Sequence, residues 1–341
     1  MTSQRSVPTL DDVARAAGVS AATVSRCLNT PERVIDRTRS RVMKAVHDLG
    51  YTPNFAARVM AAKRSNTIGA IIPTMENAIF ARGLQAFQEE LREKGFTLLV
   101  ASSSYRADVE EEQIRKLVSR GADGLLLIGY DRDPSIYRFL KTQSVPVLVA
   151  WAHDMRAEVP TVGFDNRKWM RTLAAQAISL GHKRIGVISA QMKDNDRARS
   201  RVAGIRDAAT KAGLSVDALR VIETNYEIDS GALAFQELME SASPPSVVMC
   251  GNDVLAVGAM RIARELNLVV PDDVSITGFD DIELARIVVP ALTTVHVPHR
   301  DMGRQAASAL VEMVEQKSDG TYLELSANIQ SGGTLSVPAG R

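Results

Sequence analysis

Residues 9–29 read TLDDVARAAGVSAATVSRCLN. Leu10, Val13, Ala14 and Ala17 recur at the i, i+3, i+4, i+7 spacing of one helix face, and Thr9 with Asp12 three residues on has the form of a capping box. Gly18 stops this helix. Ser20, a good N-cap, starts a second helix that is expected to bury Val24, Cys27 and Leu28. A third helix is expected from near Asp36, burying Val42, Ala45, Val46 and Leu49. Helix, tight turn at 18–20 and helix make a helix-turn-helix arrangement. The second helix turns Ala21, Ala22, Ser25, Arg26 and Asn29 outward, a face small and polar enough for a DNA major groove. Arg26 is the expected base reader, since a guanidinium can bond guanine O6 and N7 together. Ser20, Thr23 and Asn29 are expected to hold phosphates, which position the helix without reading sequence.

Charge supports a separate head. Residues 1–65 hold eleven basic and five acidic side chains, a net of +6, whereas the remainder holds 30 and 35, a net of −5. The basic end suits a polyanion. At 341 residues the chain has room for two or three domains, each able to bury a core without staples. Two cysteines far apart, Cys27 and Cys250, show no disulfide or metal spacing and fit a reducing compartment. Without a secretory segment or an apolar run of about 20 residues, the expected location is cytoplasmic, away from any membrane.

Beyond Thr67 the pattern changes to short apolar runs alternating with amphipathic stretches. Strands are expected at 68–72, 97–101, 124–128 and 145–150, and again at 184–189, 219–223, 246–250 and 274–278. Two runs of βα units imply an α/β core of two doubly wound, parallel-sheet lobes, with ligands bound outside the carboxyl ends of the strands.

The joint occurrence of residues 9–26, Thr38-Arg39, Gly50-Tyr51-Thr52-Pro53-Asn54 and Ile68-Gly69 resembles the lactose-repressor family of transcriptional regulators. Segments 72–80 (IPTMENAIF) and 162–166 (VGFDN) are similar to its gluconate-type members. The resemblance implies a helix-turn-helix head over 1–53, a hinge helix and linker over 54–66, and an effector-binding and dimerisation core over 67–341. This core would resemble a type I periplasmic sugar-binding protein, with an N-lobe of about 67–164 and 293–325 and a C-lobe of about 165–292 and 326–341. In the family, paired hinge helices enter the minor groove and wedge an apolar side chain into a base step. Met60 stands at the wedge position, where leucine is usual, and Asn54 and Arg58 lie on the same segment. With Thr9 these residues complete the expected DNA-binding set. The family's principal base-reading pair falls on Ala21 and Ala22, which offer only methyl contacts to thymine.

For the core, the resemblance implies that Arg201, Asn252 and Asp280 hold an effector's hydroxyls or carboxylate, with Phe80, Trp151 and Tyr226 as flat walls. Ala150 occupies a place where some members carry an acid. Arg197, one helical turn before Arg201, joins the set. The two arginines would suit an anionic ligand, unless Asp194 and Asp196 neutralise them and leave the site to a neutral sugar. The effector is therefore a sugar, sugar acid or sugar phosphate.

No catalytic role is expected, because GxGxxG, P-loop, HExxH and GxSxG motifs are all missing. His296 and His299 form an HxxH at a strand-to-helix junction with no third ligand motif in view, so no metal is expected, and no cofactor either; Asp280 and Asp281, being adjacent, should diverge and not form a shared acid/base site. The partners implied are a near-palindromic double-stranded DNA operator, the effector and a second copy of the chain. The tail after Ser331 lacks leucine heptads, so a homodimer without an added tetramerisation helix is expected. A solute-binding protein for sugar uptake would share the core, but the basic head and missing signal segment argue against it.

Overall fold

A computed structural model describes residues 7–53, 64–76, 78–154, 156–216 and 219–339. The chain divides into two compact units, residues 1–65 and 66–341.

In the first unit, α1 (Leu10–Ala17), α2 (Ala21–Asn29) and α3 (Asp36–Leu49) enclose a small core of Val13, Ala14, Ala17, Val24, Cys27, Val42 and Ala45. Each helix starts where its sequence signal stands. Asp12 N–H donates to Thr9 Oγ1 while Thr9 N–H donates to the Asp12 carboxylate, so the capping box closes in both directions. Gly18 adopts φ 62, a left-handed conformation that costs a glycine nothing, and the turn passes directly to Ser20, whose hydroxyl accepts from Thr23 N–H. Replacing Thr9 by Ala should destabilise the head by about 1 kcal/mol in thermal unfolding of the full chain; an unchanged first unit would show that the box adds nothing. Leu49 departs from expectation. It is the last residue of α3, and 38% of it is exposed, because Tyr51 folds back and packs on the core there instead.

The second unit contains two parallel sheets. One has the order β11-β5-β4-β3-β1-β2, from β1 (Thr67–Ile72), β2 (Thr97–Ser102), β3 (Gly124–Ile128), β4 (Val147–Ala150), β5 (Thr161–Gly163) and β11 (Tyr322–Glu324). The other has the order β7-β6-β8-β9, from β6 (Ile185–Ala190), β7 (Arg220–Thr224), β8 (Val247–Cys250) and β9 (Ser275–Thr277). Each chain path steps outward and then reverses, between β1 and β3 and between β6 and β8, which is the topological switch of a doubly wound sheet. A short antiparallel pair, β10 (Thr294–His296) with β12 (Asn328–Gln330), follows the second sheet in the chain.

The covering helices are α4 (Ala78–Glu93), α5 (Ala107–Ser119) and α6 (Pro134–Thr142) in the first half of the unit. Then come α7 (Asn166–Ser179), α8 (Asp196–Lys211), α9 (Ile228–Met239), α10 (Asp253–Glu265) and the short α11 (Glu283–Ile287), and finally α12 (His299–Val314). The central strands β1, β3 and β8 are buried throughout, which explains their unbroken apolar runs. Helices α4 and α12 cross so closely at Gly83 and Gly303 that a Cβ at Gly303 would collide with the Gly83 carbonyl. That contact anchors α12 and, at its first residue, His299.

Candidate functional site

On the head, α2 presents Ala22, Arg26 and Asn29 exposed, with Thr23 and Ser25 half-buried beside them. Its polar side chains are organised locally. The Ser20 and Thr23 hydroxyls lie 2.9 Å apart, and Asn29 Nδ2 donates to Ser25 Oγ at 3.2 Å. Arg26 is exposed and enters no ion pair among the described residues, and the same holds for Arg33, Arg37, Arg39 and Arg41, whereas Arg15 and Lys44 are paired with Asp12 and Asp48. Ala21 is a partial correction: its methyl packs half-buried against the head core instead of standing fully outward, because it begins the helix directly above Val24. Asn54, Arg58, Met60 and most of the expected hinge lie outside the described residues.

In the second unit, the carboxyl ends of the two sheets face a cleft of about 880 Å³. It is walled by the segments after β1 (Thr74–Glu76), after β2 (Ser104–Ala107), after β6 (Gln191–Asn195) and after β7 (Asn225–Glu227). Tyr105 from the first sheet meets Tyr226 from the second, ring centroids 5.9 Å apart. Burial pushes both phenols above their ordinary range, so both are neutral.

Arg201, on the second turn of α8 and 4% exposed, has its whole guanidinium engaged. Nε donates to Asn166 Oδ1 at 2.8 Å, Nη1 to the Gly251 carbonyl at 2.6 Å and Nη2 to Asp280 Oδ1 at 3.3 Å, while the group stacks 3.8 Å from the Phe279 ring centroid. Asp280, 1% exposed and held at φ 105, has no hydrogen-bond partner for its second oxygen among the described residues. Asn252 N-caps α10, its Oδ1 accepting from Leu255 N–H at 3.0 Å. The structure thus brings Arg201 and Asp280 into contact and sets Asn252 one residue beyond the carbonyl that Arg201 grips. Helix α8 carries Arg197 and Arg201 on adjacent turns, and Asp196 takes Arg197 Nη1 at 3.0 Å.

Two expected walls sit elsewhere. Phe80 and Trp151 are buried in the main core, rings 5.6 Å apart, because Gly83 leaves room for the indole against α4. Ala150, at the end of β4, is fully buried. Conversely, sequence reasoning missed three residues. Asn166 bridges Arg201 and the Trp151 carbonyl, and lies within the quoted VGFDN segment; Tyr105 is a lone aromatic with no motif around it. In the sequence His299 stands out only as half of an HxxH. At the junction of β10 and α12, its Nε2 donates to the Asp280 carbonyl at 3.2 Å, since a carbonyl can only accept, leaving Nδ1 unpartnered. Burial drives its pKa down to about 4, so the ring is neutral. Asp281 turns away from Asp280 to meet Arg286 and His296, as adjacent residues should, while burial and the nearby Asp280 push Asp253 well above the usual carboxylate range. Among the described residues no cluster suited to a metal ion occurs and no helix is long and apolar enough to cross a membrane.

A helix-turn-helix head with a basic, arginine-rich surface, in one chain with a two-sheet core that opens a cleft at its strand ends, defines a ligand-responsive DNA-binding regulator. Comparison with known proteins agrees for both units. Residues 9–54 match the family described as bacterial regulatory proteins, lacI family, and residues 65–329 match periplasmic binding proteins and sugar binding domain of LacI family. The HTH-type transcriptional repressor CytR of Escherichia coli K12 is 32% identical over 323 residues, 93% of each chain. A LacI-family transcriptional regulator from Silicibacter pomeroyi superposes with a TM-score of 0.88 at 27% identity, over 96% of this chain and 99% of that one. The lac repressor dimer bound to operator and the anti-inducer ONPF gives 0.85 at 25% identity, over 96% and 99%. The chain belongs to the LacI family and is a DNA-binding transcriptional regulator with that family's sugar-binding core.

Proposed function

We propose that this regulator is a cytoplasmic homodimeric repressor that reads a near-palindromic operator and releases or grips it according to a carbohydrate-like effector held between the lobes of its core. The observation that carries the DNA half is the outer face of α2, where an exposed Arg26, without an ion-pair partner among the described residues, stands among small and hydroxylated side chains. Two such helices, one per subunit, enter successive major grooves, and residues 54–66 act as the hinge that kinks the centre. Ser20, Thr23 and Asn29 position the helix on phosphates, while Ala21 and Ala22 contribute methyl contacts. The effector half rests on Arg201, Asp280, Asn252, Arg197 and Tyr226 at the strand ends of the second unit. Effector binding shifts the lobes and with them the hinge segments, a coupling typically worth ~1–3 kcal/mol. No catalytic step is assigned to the core.

Selection of the purified protein on random duplexes tests this reading. Enrichment of a two-fold symmetric site is expected, and Arg26→Ala should weaken binding to it by ~1–3 kcal/mol while relaxing preference at one guanine per half-site. Selection of no site, or an Arg26→Ala variant that keeps full discrimination, would refute the assignment.

A further inference from the structure

Two hollows of the second unit meet along one segment of chain. Asp194 and Asn195 line the cleft of about 880 Å³, while the next two residues, Asp196 and Arg197, line a separate groove of about 1420 Å³ that runs on past Tyr130, Tyr137 and Pro160. The segment is a partition between them, and whatever holds it in place keeps them apart.

What holds it belongs to the other sheet. Tyr130 N–H, in the loop after β3, donates to Asp196 Oδ2 at 2.7 Å, and Asp131 of the same loop pairs with Arg199 on the first turn of α8. The two oxygens of Asp196 divide the work, since Oδ1 stays with Arg197 on its own helix while Oδ2 reaches across. The approach is so close that a Cβ on Gly129, at φ 68, would overlap the Arg197 guanidinium and the Asp196 carboxylate. The loop itself is a rigid jaw. Buried Arg132 donates to the Ile128 and Gly129 carbonyls and to both oxygens of Glu110 on α5.

The bonds across the gap are weak by comparison. The Asp131 and Arg199 side chains stay 27% and 44% exposed, so solvent screens the pair, and the second oxygen of Asp131 is buried with no hydrogen-bond partner among the described residues. A rigid jaw joined to a helix by a contact of this strength can open and close under the free energies that ligand coupling supplies.

We propose that the Tyr130–Asp196 and Asp131–Arg199 contacts form a latch that holds the two halves of the core together in the effector-free protein, and that its opening joins the two hollows and changes operator affinity. The operator part rests on the DNA-binding reading above; the latch itself does not, and it holds whatever the effector is.

Hydrogen exchange of the full-length, effector-free protein, resolved at the Tyr130 amide, tests the latch without a ligand. Arg199→Gln alters neither that amide nor its Asp196 acceptor, but in a cooperative latch the loss of one contact frees the other. Exchange at Tyr130 should rise on the order of fivefold, with Asp131→Ala doing the same and the double variant no more than either single. Arg199→Lys keeps the charge and should restore the wild-type rate. Affinity for the site enriched by selection should shift by a similar factor, in the same direction, in Arg199→Gln and Asp131→Ala, although both residues lie outside the head. An unchanged Tyr130 rate in Arg199→Gln, or additive effects in the double variant, would make these independent surface contacts and overturn the proposal. Faster exchange with unchanged operator affinity overturns it as well, because the contact then has no regulatory consequence. Selection of no operator is a failure of the earlier reading, and the exchange rates still decide the latch.

Discussion

Arg201→Ala is expected to destabilise the second unit by about 3–5 kcal/mol, and with it to abolish the proposed response to effector, because the substitution strands Asp280 as a buried, uncompensated charge. The size of the effect follows from what the guanidinium holds. It satisfies an amide oxygen, a backbone carbonyl and a carboxylate at once, and covers the Phe279 ring. Truncation leaves three acceptors without their donor and a void over an aromatic face. Both tryptophans, Trp151 and Trp169, belong to the second unit, so urea unfolding followed by tryptophan fluorescence reports this unit without interference from the head. A companion variant separates charge from packing. Arg201→Met with Asp280→Asn removes both charges, keeps much of the stem over Phe279, and uses a residue that tolerates positive φ at 280. Most of the lost stability should return. A loss below about 1 kcal/mol in the single variant would mean that the pair behaves as a solvated surface bridge.

The same pair shows why some of this site was readable in advance and some was not. Arg201 and Asp280 stand in motifs, and their types imply complementary hydrogen bonding. The helix period of the head and the apolar runs of β1, β3 and β8 are equally direct, since burial of a whole strand or one helix face writes itself into consecutive positions. Strands β5, β10, β11 and β12 have three residues each, too few for any period to appear. Phe80, on α4, and Trp151, just after β4, lie in the core and not on the cleft for a related reason. An aromatic residue at a strand end has the right chemistry for a cleft wall, but whether it faces the cleft or the core depends on Gly83, a residue 68 positions earlier in sequence than Trp151. Tyr105 is the opposite case. Only its contact with Tyr226, across two sheets and 121 positions, distinguishes it from any other exposed tyrosine.

His299 produces the second large effect, a pH dependence of the core's stability. His299 begins α12, fixed by the crossing at Gly303, and its ring lies between the Asp280 carbonyl and the interior. Burial lowers its pKa from 6.5 to about 4, outweighing the attraction of Asp280, while Arg201 and Arg82 push in the same direction as burial. Between those two values the unfolded chain binds a proton that the folded one refuses. Stability from this group is therefore complete above pH 6.5 and is lost as pH falls toward 4, about 3 kcal/mol in all, with about 2 kcal/mol gone between pH 7.5 and 5. Asp253 works against it, since a carboxyl raised well above its ordinary value favours the folded state more strongly as pH falls. The net slope of the native protein thus understates the histidine. The difference between wild type and His299→Gln isolates it: urea unfolding at pH 7.5 and 5 should show the variant losing about 2 kcal/mol less than wild type over that range. Parallel losses in the two proteins would show that the ring accepts its proton in the folded state, and hence that the junction of β10 and α12 opens to water on acidification. In that event Asp280 would gain a charged neighbour, and effector affinity would change over the same pH range. With a neutral His299, affinity stays constant between pH 7.5 and 5 apart from the effector's own titration.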